Sequence, residues 1–300
     1  MSIIESPEID IAARFMGNLT SGTRDSYQRS LCKFGEWMGG LTPSEAAKFL
    51  ISDFQAVTIA VMKYIDYMIA EGFAPNTIKG RLAGLRKLVN FAHRLNLVSY
   101  TLNGITGPPI QVMIDTRGPG VPAVKLMVST CRLMRNRLMV RLLSQMALRR
   151  AEILSIRVEE LEFGQNPILT IKEKKKADRT ILSMPTPIVA DMKKLLEFEE
   201  ITSGPLLLSA KSRGWAPLSP TAVNQIVRQV AVQAGITGRV LKRCHPHGLR
   251  HTGITAAAEM LHGDVFRIRQ FSRHKDIKTV QVYVDRERNE YGEIAASIDI

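Results

Sequence analysis

Between residues 104 and 124 the chain reads GITGPPIQVMIDTRGPGVPAV, which holds Gly104, Gly107, Pro108, Pro109, Gly118, Pro119, Gly120 and Pro122. Proline fixes φ and removes an amide donor, while glycine loses the most freedom on ordering, so no helix or strand continues through such a stretch. The chain is therefore expected to fold in two parts: a domain over 1–104, a linker over 105–122 and a second domain over 123–300. A length of 300 residues lets each part bury its own core.

Charge separates the two parts as well. The whole chain has a formal net charge of +13. Residues 1–104 hold 11 basic and 9 acidic side chains, and 105–300 hold 30 and 19, so the second part carries +11 of the total. Such an excess calls for a polyanionic partner. No run approaches the ~20 apolar residues of a spanning helix, so nucleic acid explains the charge better than a membrane does. No secretory signal opens the chain, and a cytoplasmic protein is expected. Cys32, Cys131 and Cys244 are odd in number and widely spaced, which suits reduced, mostly buried thiols.

The first part reads as helices. Thr23 is a candidate cap for a helix with Tyr27, Leu31, Phe34, Trp37 and Met38 on one face, ended by Gly39-Gly40. Thr42-Pro43 starts a short helix to Leu50, and Val57 to Ile69 forms a central one. Asn76 caps the next helix, where Ile78, Leu82, Leu85, Leu88, Val89 and Ala92 form an apolar stripe. Lys79, Arg81, Arg86, Lys87 and Arg94 lie largely off it, giving a basic outer face that either meets solvent or faces phosphates.

The second part mixes elements. Lys125–Leu148 and Ala151–Ile156 have helical patterns, and Ile168–Lys172 and Arg179–Met184 read as strands around a charged turn. Further helices are expected over Pro187–Phe198, Thr221–Ala234, Leu249–Leu261, Val265–Ser272 and Ile277–Tyr283. The fold class is mainly α with a small β-sheet.

Within that frame the polar residues form a set. MALRRAEIL places Arg149 and Glu152 near a helix start, and HPHGLRH places His247 and Arg250 three apart on one helical face. RHKDIKTVQVYV supplies His274 and, nine residues later, Tyr283, while the hairpin KEKKKADR supplies lysines. In this order and spacing the chain resembles the tyrosine recombinases, the phage integrase family. GTRDSYQRSLCKFGEWM and APNTIKGRLAGLRKLVNFA are similar to main helices of the family's core-binding domain, so the likeness covers nearly the whole chain.

The resemblance implies a two-domain clamp on duplex DNA, with a helical SAM-like core-binding domain and an α+β catalytic domain. Tyr283 is the implied nucleophile, Arg149 and Arg250 the guanidinium groups on the scissile phosphate, and His274 a further phosphate partner. His247 would exchange the tyrosine proton and a hairpin lysine would protonate the leaving 5′-hydroxyl. Alignment on Arg179 puts that lysine at Lys174, with Lys172, Lys175 and Lys176 one slip of register away. Lys175, Lys176 and Arg243 join Lys79, Arg81, Arg86 and Lys87 as candidate DNA contacts.

Chemistry of this kind needs neither metal nor nucleotide cofactor. The resemblance further implies two protomers per site, a tetrameric synapse and, for some members, an accessory directionality factor. The core-like helix starts near residue 23, which suits a simple recombinase more than an arm-dependent one. The tail DRERNEYGEIAASIDI, with Tyr291, Ile294, Ala295 and Ile298 on one possible face, could dock on a neighbour or on its own domain.

Other readings compete. Cys244, His245, His247 and His251 have zinc-ligand chemistry, but four ligands within eight residues demand a tight loop that Pro246 opposes. His251 is then expected to be packed or hydrogen-bonded against the helix, with no chemical role. Tyr291 is the fallback nucleophile. Arg273 stands where the family usually has glycine, so a glycine-only backbone cannot be assumed there. A type IB topoisomerase-like enzyme and a noncatalytic DNA-binding module are the alternative functions.

Overall fold

The structure, a computed structural model, describes residues 10–109, 118–172, 179–209 and 216–284. Lys174, Lys175, Lys176, Tyr291 and the tail beyond 284 lie outside them. The chain divides into two compact units, Met1–Met113 and Ile114–Ile300.

The first unit is helical: α1 (Ile11–Gly17), α2 (Ser21–Trp37), α3 (Pro43–Leu50), α4 (Phe54–Ala70) and α5 (Pro75–Arg94). Thr42 caps α3, with Glu45 returning a bond to the Thr42 amide, and Asp53 caps α4. Two expected caps move by a few residues. Thr20 rather than Thr23 precedes α2, and Ala74 rather than Asn76 precedes α5, because Pro75 occupies the first helical turn where a missing donor costs nothing. The apolar stripe of α5 is buried as a whole. It packs on α2 so closely that a Cβ on Gly84 would lie 2.6 Å from that of Ser30. Leu31, Phe34, Leu50, Tyr64, Leu82 and Leu85 fill the core between the helices.

The second unit contains α6 (Val121–Thr130), α7 (Met134–Ser144), α8 (Arg150–Ser155), β1 (Leu161–Glu162), β2 (Ile168–Lys172) and β3 (Arg179–Ser183). These are followed by α9 (Thr186–Phe198), α10 (Pro220–Gln233), α11 (Gly238–Arg243), α12 (Pro246–Met260), α13 (Val265–Ser272) and α14 (Ile277–Val284). The sheet is antiparallel in the order β1-β2-β3, with Ile168 opposite Ser183 and Lys172 opposite Arg179. The fold is mainly α with a small sheet.

The helix expected over Lys125–Leu148 is two helices. α7 is buried on nearly every side, through Leu138, Met139, Val140, Leu142 and Leu143, whereas α6 buries only Val124 and Met127. A central helix and a surface helix cannot share one straight axis, so the chain turns at Cys131–Leu133. Likewise α12 starts at Pro246, not Leu249, with the His245 ring capping the Gly248 amide. α1, α11 and β1 had no expected counterpart, being too short to show a period.

Two packing features hold the site. Arg137 on α7 makes a forked contact with Asp191 on α9, at 2.6 to 3.2 Å. A separate small core of Ala147, Ile254, Ala258, Ile268, Val280, Tyr283 and Val284 joins α12, α13 and α14. Among the described residues no helix is long and apolar enough to cross a membrane. Cys131 and Cys244 are buried and Cys32 half-buried, all as free thiols.

Candidate active site

Five segments of the second unit converge on one pocket of about 680 Å³: the start of α8, α10, the end of α11, the start of α12 and the turn after α13. Its wall carries Arg149, Arg150, Arg228, Lys242 and Arg250 beside His245, His247 and His274, and no carboxylate lines it among the described residues. The potential inside is positive and suits an anion.

Arg149 immediately precedes α8 in extended conformation. Glu152, one turn on, accepts from the Arg149 amide at 2.7 Å and from its Nη1 at 2.7 Å, and Arg149 Nη2 donates to the Arg273 carbonyl at 3.0 Å. The guanidinium is thereby fixed from behind while its side chain stays 42% exposed towards the pocket. Arg250 on α12 is only 1% exposed and donates to the carbonyls of Ala147 and Ser272. Burial, then the charges of Arg149 and Arg273, pull its pKa down to about 9.

The histidines respond to the same field. His247 is held below its ordinary value by desolvation, then by Arg250, His245 and Arg149. His274 falls to about 4, first through burial and then through Arg250 and Arg149, and its Nδ1 meets the Ser272 hydroxyl at 2.8 Å. Both rings are neutral at neutral pH, so the positive charge of the site rests on its arginine and lysine side chains. Burial is the largest cause of these depressed values and the neighbouring cations come next, so an anion entering the pocket would meet a positive field.

Tyr283 lies on α14, 2% exposed, with its hydroxyl hydrogen-bonded to His251 Nδ1. His274 stacks over it at 6.1 Å between ring centroids, and His247 meets His251 edge-on at 4.0 Å. His251 itself is pushed to about 3 by burial and then by His247 and Arg250, which leaves a neutral ring beside the phenol. The phenol sits behind the pocket wall, one ring away from His247.

Of the residues singled out in the sequence, Arg149, His247, Arg250 and His274 share this pocket and Tyr283 adjoins it. Lys174, Lys175 and Lys176 fall outside the described residues. Lys79 and Lys87 are exposed on α5. Arg81 and Arg86 are less free than the basic face suggested: Arg81 stacks 4.3 Å over Phe73, and Arg86 donates to the Ile105 carbonyl. Arg243 is half-buried at the end of α11. Cys244 and His245 are engaged locally, the thiol with the Val240 carbonyl and the ring as the cap of α12.

The sequence reading gave His251 no chemical role, whereas its ring meets the Tyr283 hydroxyl; its place four residues after His247 signalled the same helical face. Arg150, Arg228 and Lys242 also line the pocket, and no local pattern announced them.

Residues 123–290 match the model of the phage integrase family. A tyrosine recombinase of Synechocystis sp. is 30% identical over 91% of this chain and 88% of its own length. The chain belongs to the phage integrase family. As a member it is a tyrosine-type, site-specific DNA recombinase. A tyrosine recombinase of Synechococcus elongatus is equally similar, 30% identical over 90% of this chain and 87% of its own length. Among solved structures, the Tn1549 transposon integrase in complex with transposon right-end DNA aligns over 95% of this chain and 98% of its own, with TM-score 0.70 and 14% identity. The XerH recombinase bound to its difH substrate aligns over 92% and 79%, with TM-score 0.66 and 18% identity. These two likenesses show the fold.

Proposed function

We propose that this recombinase cleaves and rejoins duplex DNA through a covalent 3′-phosphotyrosine on Tyr283, with the pocket of Arg149, His247, Arg250 and His274 receiving the scissile phosphate. The observation that carries this reading is the pairing of an anion-seeking pocket with a tyrosine one histidine behind its wall. A phosphodiester brings negative charge into that positive field, and its non-bridging oxygens suit two guanidinium groups held from behind.

In the forward step the Tyr283 oxygen bonds to phosphorus and the bond to the 5′-oxygen breaks. The phenol proton leaves towards His247, and the 5′-oxygen takes a proton from a hairpin lysine, Lys174 in our reading. The phosphate remains an ester, so attack by a 5′-hydroxyl from the same or another strand reverses the step without an energy source. In that step Tyr283 exchanges its hydrogen bond to His251 for the phosphate.

The helical unit would add phosphate contacts through Lys79, Arg81, Arg86 and Lys87, with Arg243, Lys175 and Lys176 doing so in the catalytic unit. The λ integrase structure is a dimer bound to a core site. By analogy, a clamp of the two units, two protomers per site, a tetrameric synapse and an accessory directionality factor complete the proposal, in a cytoplasmic setting.

The test uses a suicide duplex nicked beside a candidate core site, with wild type and Tyr283→Phe in EDTA. A covalent adduct on a denaturing gel with wild type only is the expected result. Specific binding to the cognate site without any adduct would leave a DNA-binding protein. Rapid relaxation of single plasmids by monomers would point to a topoisomerase instead.

A further inference from the structure

We propose that Arg273 is a positioning residue that holds both phosphate-facing guanidinium groups of the site, an inference that rests on the reading of Arg149 and Arg250 given above. Arg273 follows α13 in the left-handed conformation, φ 53 and ψ 40. Glycine takes that conformation without cost and an arginine does not, so the side chain has to repay the backbone.

Its contacts show where. The Arg273 side chain is 7% exposed. Nη2 donates to Glu152 Oε2 at 3.1 Å and to the Ala147 carbonyl at 3.0 Å, and Nη1 donates to the Phe271 carbonyl at 3.1 Å. Glu152 is the carboxylate that grips Arg149 through amide and guanidinium, and the Ala147 carbonyl is the one that accepts from Arg250 Nη1. The backbone carbonyl of Arg273 accepts from Arg149 Nη2 as well. One residue therefore touches the support of Arg149 twice and the support of Arg250 once. A glycine here would keep the carbonyl contact and lose the other two.

The charged groups facing Glu152 are Arg149 at the start of α8, Arg250 on α12 and Arg273 after α13. Burial works against the Glu152 carboxylate, and the charge of Arg273 is the largest of the influences that nonetheless keep it below its ordinary value. Arg273 thus favours the ionised form of Glu152, the form that grips Arg149.

The experiment is single-turnover cleavage of the suicide duplex from pH 5 to 8 by full-length wild type, Arg273→Gly and Arg273→Lys, with duplex affinity measured in parallel. Arg273→Gly is expected to bind DNA within about threefold of wild type and to cleave at least tenfold more slowly. Its activity should fail at higher pH on the acid side than that of wild type, because Glu152 protonates more readily without the neighbouring charge. Arg273→Lys keeps the charge, so its acid limb should stay near wild type with a smaller loss of rate. If Arg273→Gly does not fold, Arg273→Asn replaces it, since asparagine also accepts the left-handed conformation. Wild-type cleavage by the glycine variant, or a loss equal at every pH, overturns the positioning role. A wild type that forms no adduct on its cognate site overturns the phosphotyrosine reading itself.

Discussion

Adding one methyl group to Gly253 tests whether α12 is as tightly docked as its contacts require. A Cβ there would lie 1.8 Å from the carbonyl oxygen of Ser144, a backbone atom at the end of α7. Ordinary C···O contacts are about 3.3 Å or longer, so α7 and α12 must separate locally by roughly 1.5 Å. Forced overpacking of a core costs about 1–3 kcal/mol, and a backbone neighbour cannot rotate away, which puts Gly253→Ala at about 3 kcal/mol. For a unit of this size that lowers Tm by roughly 6–12 °C. Arg250 stands one turn earlier on the same helix and donates to Ala147, three residues beyond Ser144. Displacing a reacting group by about 1 Å costs on the order of 100-fold in rate, so suicide-substrate cleavage should fall by about that factor at temperatures where the variant is folded. Calorimetry and single-turnover cleavage on the same preparation read both effects. A variant within 1 kcal/mol of wild type that cleaves at the normal rate would refute the docking argument.

Gly80→Ala is the matching control: nothing lies within 4 Å of its Cβ, so the helix should gain about 0.5–1 kcal/mol by urea titration. The bond between His251 and Tyr283 predicts a coupling of about 1 kcal/mol in a double-mutant cycle of His251→Leu and Tyr283→Phe, and additivity within 0.3 kcal/mol would deny it. His251 and His274, with pKa values pushed to about 3 and about 4, bind fewer protons folded than unfolded below pH 6.5. Stability of the catalytic unit should therefore fall as pH drops from about 6.5 towards 4, and a urea midpoint that stayed level over that window would contradict the shifts. Lys79→Ala and Lys87→Ala should each weaken DNA binding on all sequences and reduce the slope of log K against log salt by about 1. An unchanged slope would remove α5 from the interface.

Much was legible in the sequence because periodicity and motif spacing are local. The apolar stripe of α5 returned to one face every three or four residues, and burial followed it as far as Ala92. The positions of α9, α10, α13 and α14 were readable to within a residue or two for the same reason. The order Arg149, His247, Arg250, His274, Tyr283 likewise needed only counting, and the family it suggested is the one to which the chain belongs.

What remained hidden depends on which atoms meet across the fold. The split between α6 and α7 follows from α7 lying at the centre of the unit, and no breaking residue marks it. The bond of Tyr283 to His251 joins residues 32 positions apart, and the grip of Arg273 on Glu152 joins residues 121 apart. A sequence carries the types of such residues but not their distances. It carried the helical stripes, the expectation of two parts about the glycine and proline stretch, and the residue types from which the site is proposed. Only the tertiary structure decided which histidine holds the phenol, and what lets an arginine take the left-handed turn after α13, because strain and burial there are repaid by partners the local chain does not contain.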